Sequence, residues 1–318
     1  MAELFSSRGK FFGTATNLPY DDEQYMSILE SNEFSQITPE NAMKLESLVP
    51  HAPRQYDWTT ADDVAGWASR NNKKLRCHSL IWYNHLPNWL ASGRYDNATL
   101  LSIMTDHIKT VVNRYRFVCE AWDVVSEALN EDGNLRDDNI WYELIGPAFI
   151  PIAFQAAAEA DPDAQLYYND YNIEKSGRKV DGVKNIIDLI RASGARIDGV
   201  GVEGHFISTQ VPEYDDMASW MREFTDKGVD VVFSELDVRI RLPGDHSKRG
   251  QQREEYGTIC AACKNNSRCR GITVWDFTDK YSWIPDHFDG YGDACMWNDD
   301  LEKKPAYQGC SDVFEDDD

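Results

Sequence analysis

Eight short apolar segments recur along the chain, at 11–17, 34–41, 75–82, 121–127, 165–172, 199–206, 230–238 and 271–277. Amphipathic stretches lie between them. Residues 100–116, 152–160, 180–192, 217–227 and 251–264 carry Leu, Ile, Val and Met at three- and four-residue spacing, the period of a helix buried along one face. Strand-helix alternation sustained over 318 residues predicts a parallel sheet of the α/β class. Eight repeats fit a (β/α)8 TIM barrel forming a single catalytic domain over residues 1–318. The alternative is an open doubly wound sheet, which needs a phosphate-binding loop after its first strand.

The polar residues favour the barrel. Segment ends carry Glu40 and Asn41, His78 through Trp82, Glu127, Asn169 and Tyr171, Glu203 and His205, Glu235 and Asp237, then Trp275 and Asp276. A barrel assembles its site from the C-terminal ends of many strands, whereas an open sheet gathers ligands at one switch point. Gly199-Val-Gly-Val-Glu-Gly204 matches the dinucleotide pattern G-x-G-x-x-G, but that site needs a helix directly after it. The irregular His205-Phe-Ile-Ser-Thr-Gln-Val-Pro212 follows instead, so these glycines are read as strand residues in close packing.

Two glutamates carry the chemistry. Glu127 closes the segment beginning at Ala121, and Glu235 lies in Val231-Val-Phe-Ser-Glu-Leu-Asp237. Carboxylates presented by separate strands are what retaining glycoside hydrolysis requires. One protonates the leaving oxygen while the other, about 5–5.5 Å away, attacks the anomeric carbon. That chemistry needs no metal and no organic cofactor.

A net charge of −22 argues against nucleic-acid and anionic-membrane partners. No apolar run approaches the roughly 20 residues of a membrane span. With 42% hydrophobic residues the chain can build a large core; only the acidic tail 315–318 reads as disordered. The opening Met1-Ala-Glu-Leu-Phe5 has no signal-peptide core, and the expectation is a mature secreted, extracellular form whose signal is absent. Seven cysteines and the sequons Asn97-Ala-Thr99 and Asn265-Asn-Ser267 agree with secretion. Cys263 and Cys269 flank a polar loop and suit a disulfide; Cys77–Cys119 and Cys295–Cys310 are the further pairings expected, leaving Cys260 free. A zinc site at Cys260-x-x-Cys263 would need a second ligand pair that the chain lacks. A monomer is expected.

Across nearly its whole length the sequence resembles glycoside hydrolase family 10, best known for endo-β-1,4-xylanases. The resemblance is carried by Thr38-Pro-Glu-Asn-Ala-Met-Lys44, His78-Ser-Leu-Ile-Trp82, Trp122-Asp-Val-Val-Ser-Glu-Ala-Leu129, Ser234-Glu-Leu-Asp237, Trp275-Asp-Phe-Thr-Asp-Lys-Tyr-Ser-Trp283 and Lys304-Pro-Ala-Tyr307. It implies that Glu127 is the general acid/base and Glu235 the nucleophile. It further implies that His205 orients Glu235 with Asp237 in support, and that Glu40, Asn41, Lys44, His78 and Tyr171 meet sugar hydroxyls. Trp82, Trp275 and Trp283 would then offer flat faces to pyranose rings.

Departures from the family pattern cluster at the same place. Ser126 stands where the family has Asn, Glu203 where it has Gln, and Leu45 where an aromatic follows the lysine. Tyr83-Asn-His85 replaces the His-x-Gln that normally follows the tryptophan. Four such changes around the sugar pockets suggest a retuned substrate, with His85 opening room for a hexose. The pattern resembles the family's fungal tomatinase branch. The leading expectation is release of the tetrasaccharide from the glycoalkaloid α-tomatine at its β-galactosyl bond. Xylan hydrolysis is the alternative, and a non-catalytic sugar-binding barrel the third reading. The leaving group would be shaped by loops at 241–250 and 284–298.

Overall fold

The computed structural model describes residues 1–315; the acidic tail beyond Glu315 lies outside them, and Glu315 itself ends a helix. Eight principal strands run β1 (Phe11–Thr16), β2 (Gln36–Pro39), β3 (Lys74–Cys77), β4 (Cys119–Ser126), β5 (Gln165–Asp170), β6 (Gly199–Val202), β7 (Asp230–Arg241) and β8 (Cys269–Val274). Neighbours in sequence are neighbours in the sheet, and β8 pairs with both β7 and β1. The fold is a (β/α)8 barrel. The dipeptide strands and extensions at Ile81–Trp82, His205–Ile207 and Tyr291–Gly292 prolong this framework.

Parallel strands with helices over them are buried on both faces, so they read as near-continuous apolar runs. That holds for β7, where every residue from Val231 to Val238 is buried. Helix starts follow their capping side chains: Asp96 accepts from the Thr99 N–H at the head of Asn97–Tyr115, and Asp245 accepts from Lys248 at the head of His246–Asn265. The latter corrects one expectation, because residues 246–250 are helical rather than part of a loop. The 284–298 segment likewise contains a short helix, Ile284–His287, and a strand, Tyr291–Gly292, paired antiparallel to the end of β7.

Contacts divide the chain into two units, residues 38–201 and residues 1–37 with 202–318. Within residues 38–201 the helices Asn97–Tyr115 and Phe149–Ala160 pack together, and the Cys77–Cys119 disulfide links β3 to β4. The glycines of the G-x-G-x-x-G sequence are explained here. A Cβ on Gly199 would lie 2.1 Å from the Tyr167 ring, and one on Gly201 would lie 2.2 Å from Asn169 Oδ1.

In the other unit, helix His246–Asn265 packs against Pro305–Glu315 so closely that a Cβ on Gly309 would come within 2.1 Å of the Arg253 carbonyl. That crossing fixes the disulfides. Cys260 bonds Cys310 across the two helices, Cys263 bonds Cys269, and Cys295 is the buried free thiol. The expected Cys295–Cys310 pair is therefore wrong: Cys295 follows β7's partner strand, and its backbone N–H is engaged by Asp279 instead.

Candidate active site

In the unit containing residues 202–318, β7 presents Glu235 and Asp237 two residues apart, on the same face of the strand. The extension His205–Ile207 pairs in parallel with it, setting His205 opposite Asp237. Backbone bonds lock this register: Glu235 N–H donates to the Glu203 carbonyl at 3.0 Å, and Asp237 N–H to Gly204 at 3.2 Å. The Gly204 φ of +76° is a left-handed turn natural to glycine, and it directs the chain from β6 into this extension.

His205 then meets three carboxylates. Its Nδ1 lies 2.8 Å from Asp237 Oδ2, and its Nε2 lies 3.5 Å from Glu235 and 3.9 Å from Glu203. Burial opposes a charge on the ring, but the Asp237 and Glu235 carboxylates outweigh it and push the imidazole pKa up to about 10. The ring is therefore an imidazolium at neutral pH. Trp283 completes the arrangement by donating from Nε1 to the same Asp237 oxygen at 2.9 Å, with its ring edge-on to His205. Trp275 leaves the end of β8 buried, its N–H on the Leu236 carbonyl, and the following Asp276 accepts from the Tyr25 hydroxyl at 2.9 Å.

Glu203, His205 and Glu235 are a carboxylate-imidazole cluster of the kind that holds a metal ion.

Residues 38–201 supply the second group of side chains. Glu127 follows β4 with φ +53°, a left-handed conformation that costs a non-glycine residue about 1–2 kcal/mol. Asn172 and Asp276, just past β5 and β8, share it. The Glu127 N–H donates to the Asn169 carbonyl at 2.8 Å, and its carbonyl accepts from Arg136 Nε at 3.0 Å. One residue earlier, Ser126 is buried and its hydroxyl has no hydrogen-bond partner among the described residues.

Lys44 donates to Asn41 at 2.9 Å and stands 5.2 Å from the Trp82 ring. His85 also stacks on that tryptophan, at 5.0 Å, and pairs with Glu46. Leu45, Lys44, Trp82 and His85 line one small cavity. His78 is buried against Asp123 at 3.1 Å, and Asp123 also pairs with the buried Arg76, whose guanidinium covers the Tyr167 ring. Tyr171 receives a hydrogen bond from Arg136 at 2.7 Å and carries Lys179 over its ring. Glu40 lies just past β2.

Most of the residues expected from sequence fall into local groups. Glu203, His205, Glu235, Asp237 and Trp283 stand together in one unit; Asn41, Lys44, Trp82 and His85 stand together in the other, with Ser126, Glu127 and Tyr171 beside β4 and β5. Sequence reasoning missed Arg136, Asp123 and Lys179. Arg136 sits in a polar loop ten residues past Ser126, where no spacing rule points to it, while Asp123 lay in plain view inside the β4 motif.

Carboxylates and aromatic faces at the strand ends of a (β/α)8 barrel suit a glycoside hydrolase. Residues 1–313 match the model of glycosyl hydrolase family 10. Endo-1,4-beta-xylanase D of Talaromyces funiculosus is 50% identical over 94% of this chain and 73% of its own length. Endo-1,4-beta-xylanase A of Fusarium oxysporum f. sp. lycopersici is 44% identical over 96% and 95%. Among solved structures, xylanase 10B of Thermotoga petrophila with xylobiose superposes at a TM-score of 0.95, with 36% identity over 99% of this chain and 96% of that one. The chain belongs to glycosyl hydrolase family 10, whose members hydrolyse glycosides with retention of configuration.

Proposed function

We propose that this protein is an endo-β-1,4-xylanase working by double displacement, with Glu127 as general acid/base and Glu235 as nucleophile. The observation that carries the reading is the xylanase activity of relatives 44–50% identical over nearly the whole chain, joined to the presence of both glutamates. In the first step Glu235 attacks the anomeric carbon while Glu127 protonates the departing oxygen, leaving a glycosyl ester on Glu235. Glu127, now a carboxylate, then takes a proton from the water that cleaves the ester, and both groups return to their starting states. The His205 imidazolium holds a positive charge 3.5 Å from Glu235 and so favours the ionised nucleophile.

The glycoalkaloid reading gives way to xylan here, because its support was four side chains and the relatives' activity bears on the whole chain. One feature keeps it as the second reading: Ser126 stands where the family has Asn, so a sugar hydroxyl there would meet a shorter group, and the serine hydroxyl has no hydrogen-bond partner among the described residues. Incubation with xylan and, separately, with α-tomatine tests the choice by product mass. Xylo-oligosaccharides support the proposal; an intact tetrasaccharide with free alkaloid and no action on xylan overturns it.

The proposal extends to a single secreted, monomeric catalytic domain acting without a cofactor. Three disulfides suit an oxidising compartment. No helix among the described residues is long and apolar enough to cross a membrane.

A further inference from the structure

We propose that Arg136 is the positioning residue of the acid/base, fixing the Glu127 backbone through its guanidinium and setting the charge beside it. The inference rests on the reading of Glu127 given above.

Glu127 occupies a left-handed conformation, so something must hold its peptide groups in place. Three bonds do so. Its N–H donates to the Asn169 carbonyl, its carbonyl accepts from Arg136 Nε, and the next N–H, of Ala128, donates to the Tyr168 hydroxyl at 3.1 Å. Two of these come from β5; only the arginine comes from the loop that follows Glu127 itself.

Arg136 is in turn held by its own neighbours. Its backbone N–H donates to Ala128 at 2.8 Å, its carbonyl accepts from Asn139 at 2.9 Å, and Nη2 donates to Tyr171 at 2.7 Å. The guanidinium plane covers the Tyr83 ring at 4.3 Å. A planar fork that donates in two directions while stacking is specific to arginine; a lysine ammonium supplies the charge without the fork.

The charge has its own consequence. The groups facing Arg136 are Glu127, Tyr83, Tyr171, Asp170 and Glu131. Lys179 already pairs with Asp170 at 3.1 Å and with Glu131 at 2.9 Å, and Asp138 acts on Tyr83 from the same loop. Burial, helped by the Glu127 charge, pushes the Tyr83 hydroxyl up to about 12, so both it and Tyr171, also raised by burial, are neutral donors at working pH. The arginine's positive charge also acts on the Glu127 carboxyl, and an opposite charge favours a carboxyl's ionised form.

The test compares the wild type with Arg136→Met, Arg136→Lys and Glu127→Ala, each first shown to be folded by its melting curve. Two substrates are used: a xylo-oligosaccharide, whose leaving sugar needs a proton, and a 2,4-dinitrophenyl β-xylobioside, whose phenolate does not. For Arg136→Met, kcat/KM on the oligosaccharide should fall by about tenfold or more, as expected when acid catalysis is impaired. The aryl substrate should lose less than about threefold in kcat/KM, and the oligosaccharide KM should move less than about twofold. The alkaline limb of the oligosaccharide profile should shift to higher pH. Arg136→Lys should restore that limb to its wild-type position while recovering only part of kcat. Equal losses on both substrates with an unmoved limb would overturn the proposal, leaving Arg136 a packing residue. If Glu127→Ala also failed to distinguish the substrates, the fault would lie with the acid/base assignment instead.

Discussion

His205 is suspended between two acids: Asp237 Oδ2 lies 2.8 Å from one ring nitrogen, and Glu235 Oε2 lies 3.5 Å from the other. The closer bond sets the ring's orientation and charge, and the farther contact sets that charge beside the proposed nucleophile. Trp283 donates to the same Asp237 oxygen, so an aromatic wall residue is tied into the same network.

Asp237→Asn keeps the shape of this network and removes its charge. Hydrogen bonds to charged groups are worth about 1.5–3 kcal/mol, so kcat/KM on xylan should fall about 10- to 150-fold, given tenfold per 1.36 kcal/mol. Steady-state kinetics check this, and a loss below about twofold would mean that Asp237 does not act through His205.

The same ring predicts a pH signature in stability. The folded-state pKa of about 10 lies above the ordinary 6.5, so the folded state binds the proton more tightly than the unfolded chain does. This stabilisation is fully present below pH 6.5 and is lost as pH rises through about 10. Urea melts of wild type and His205→Asn should therefore differ most at pH 6 and converge towards about pH 10. A gap that stays constant with pH contradicts the assignment.

Much of this network was legible before the structure. The strands announced themselves as apolar runs because a parallel sheet is buried on both faces, and the motifs around Glu127 and Glu235 mark the ends of β4 and the middle of β7. What linear order does not encode is which helix faces which. That is why Cys310 was assigned to Cys295 rather than to Cys260 on the neighbouring helix. Asp245 carried a capping signal that would have shortened the 241–250 loop. Arg136 and the Trp283 bond to Asp237 arise only when loops close, and no periodicity reports a loop.

Ser126 separates stability from catalysis. Its buried hydroxyl has no hydrogen-bond partner among the described residues, so Ser126→Ala should leave stability unchanged or raise it by about 1 kcal/mol. If that hydroxyl serves the sugar, kcat/KM should nonetheless fall by about fivefold or more, the equivalent of one ordinary hydrogen bond. Melting curves and kinetics on one preparation measure both. Loss of stability without loss of activity would place the hydroxyl in the core's account alone.

Asp123 is the structural counterpart. It neutralises the fully buried Arg76 and holds His78, so Asp123→Ala strands a guanidinium in the interior. Breaking a buried pair from one side costs about 3–5 kcal/mol, and denaturant unfolding should show a loss of that order. A change under about 1 kcal/mol would mean that Arg76 finds another partner.

The most direct test of the proposed mechanism is to trap its covalent intermediate. An activated 2-deoxy-2-fluoro-β-xylobioside forms the glycosyl ester readily but releases it slowly, and proteolysis followed by mass spectrometry locates the label. The account predicts one added disaccharide on the peptide containing Glu235. A label on Glu203, or turnover with no adduct at all, would contradict it.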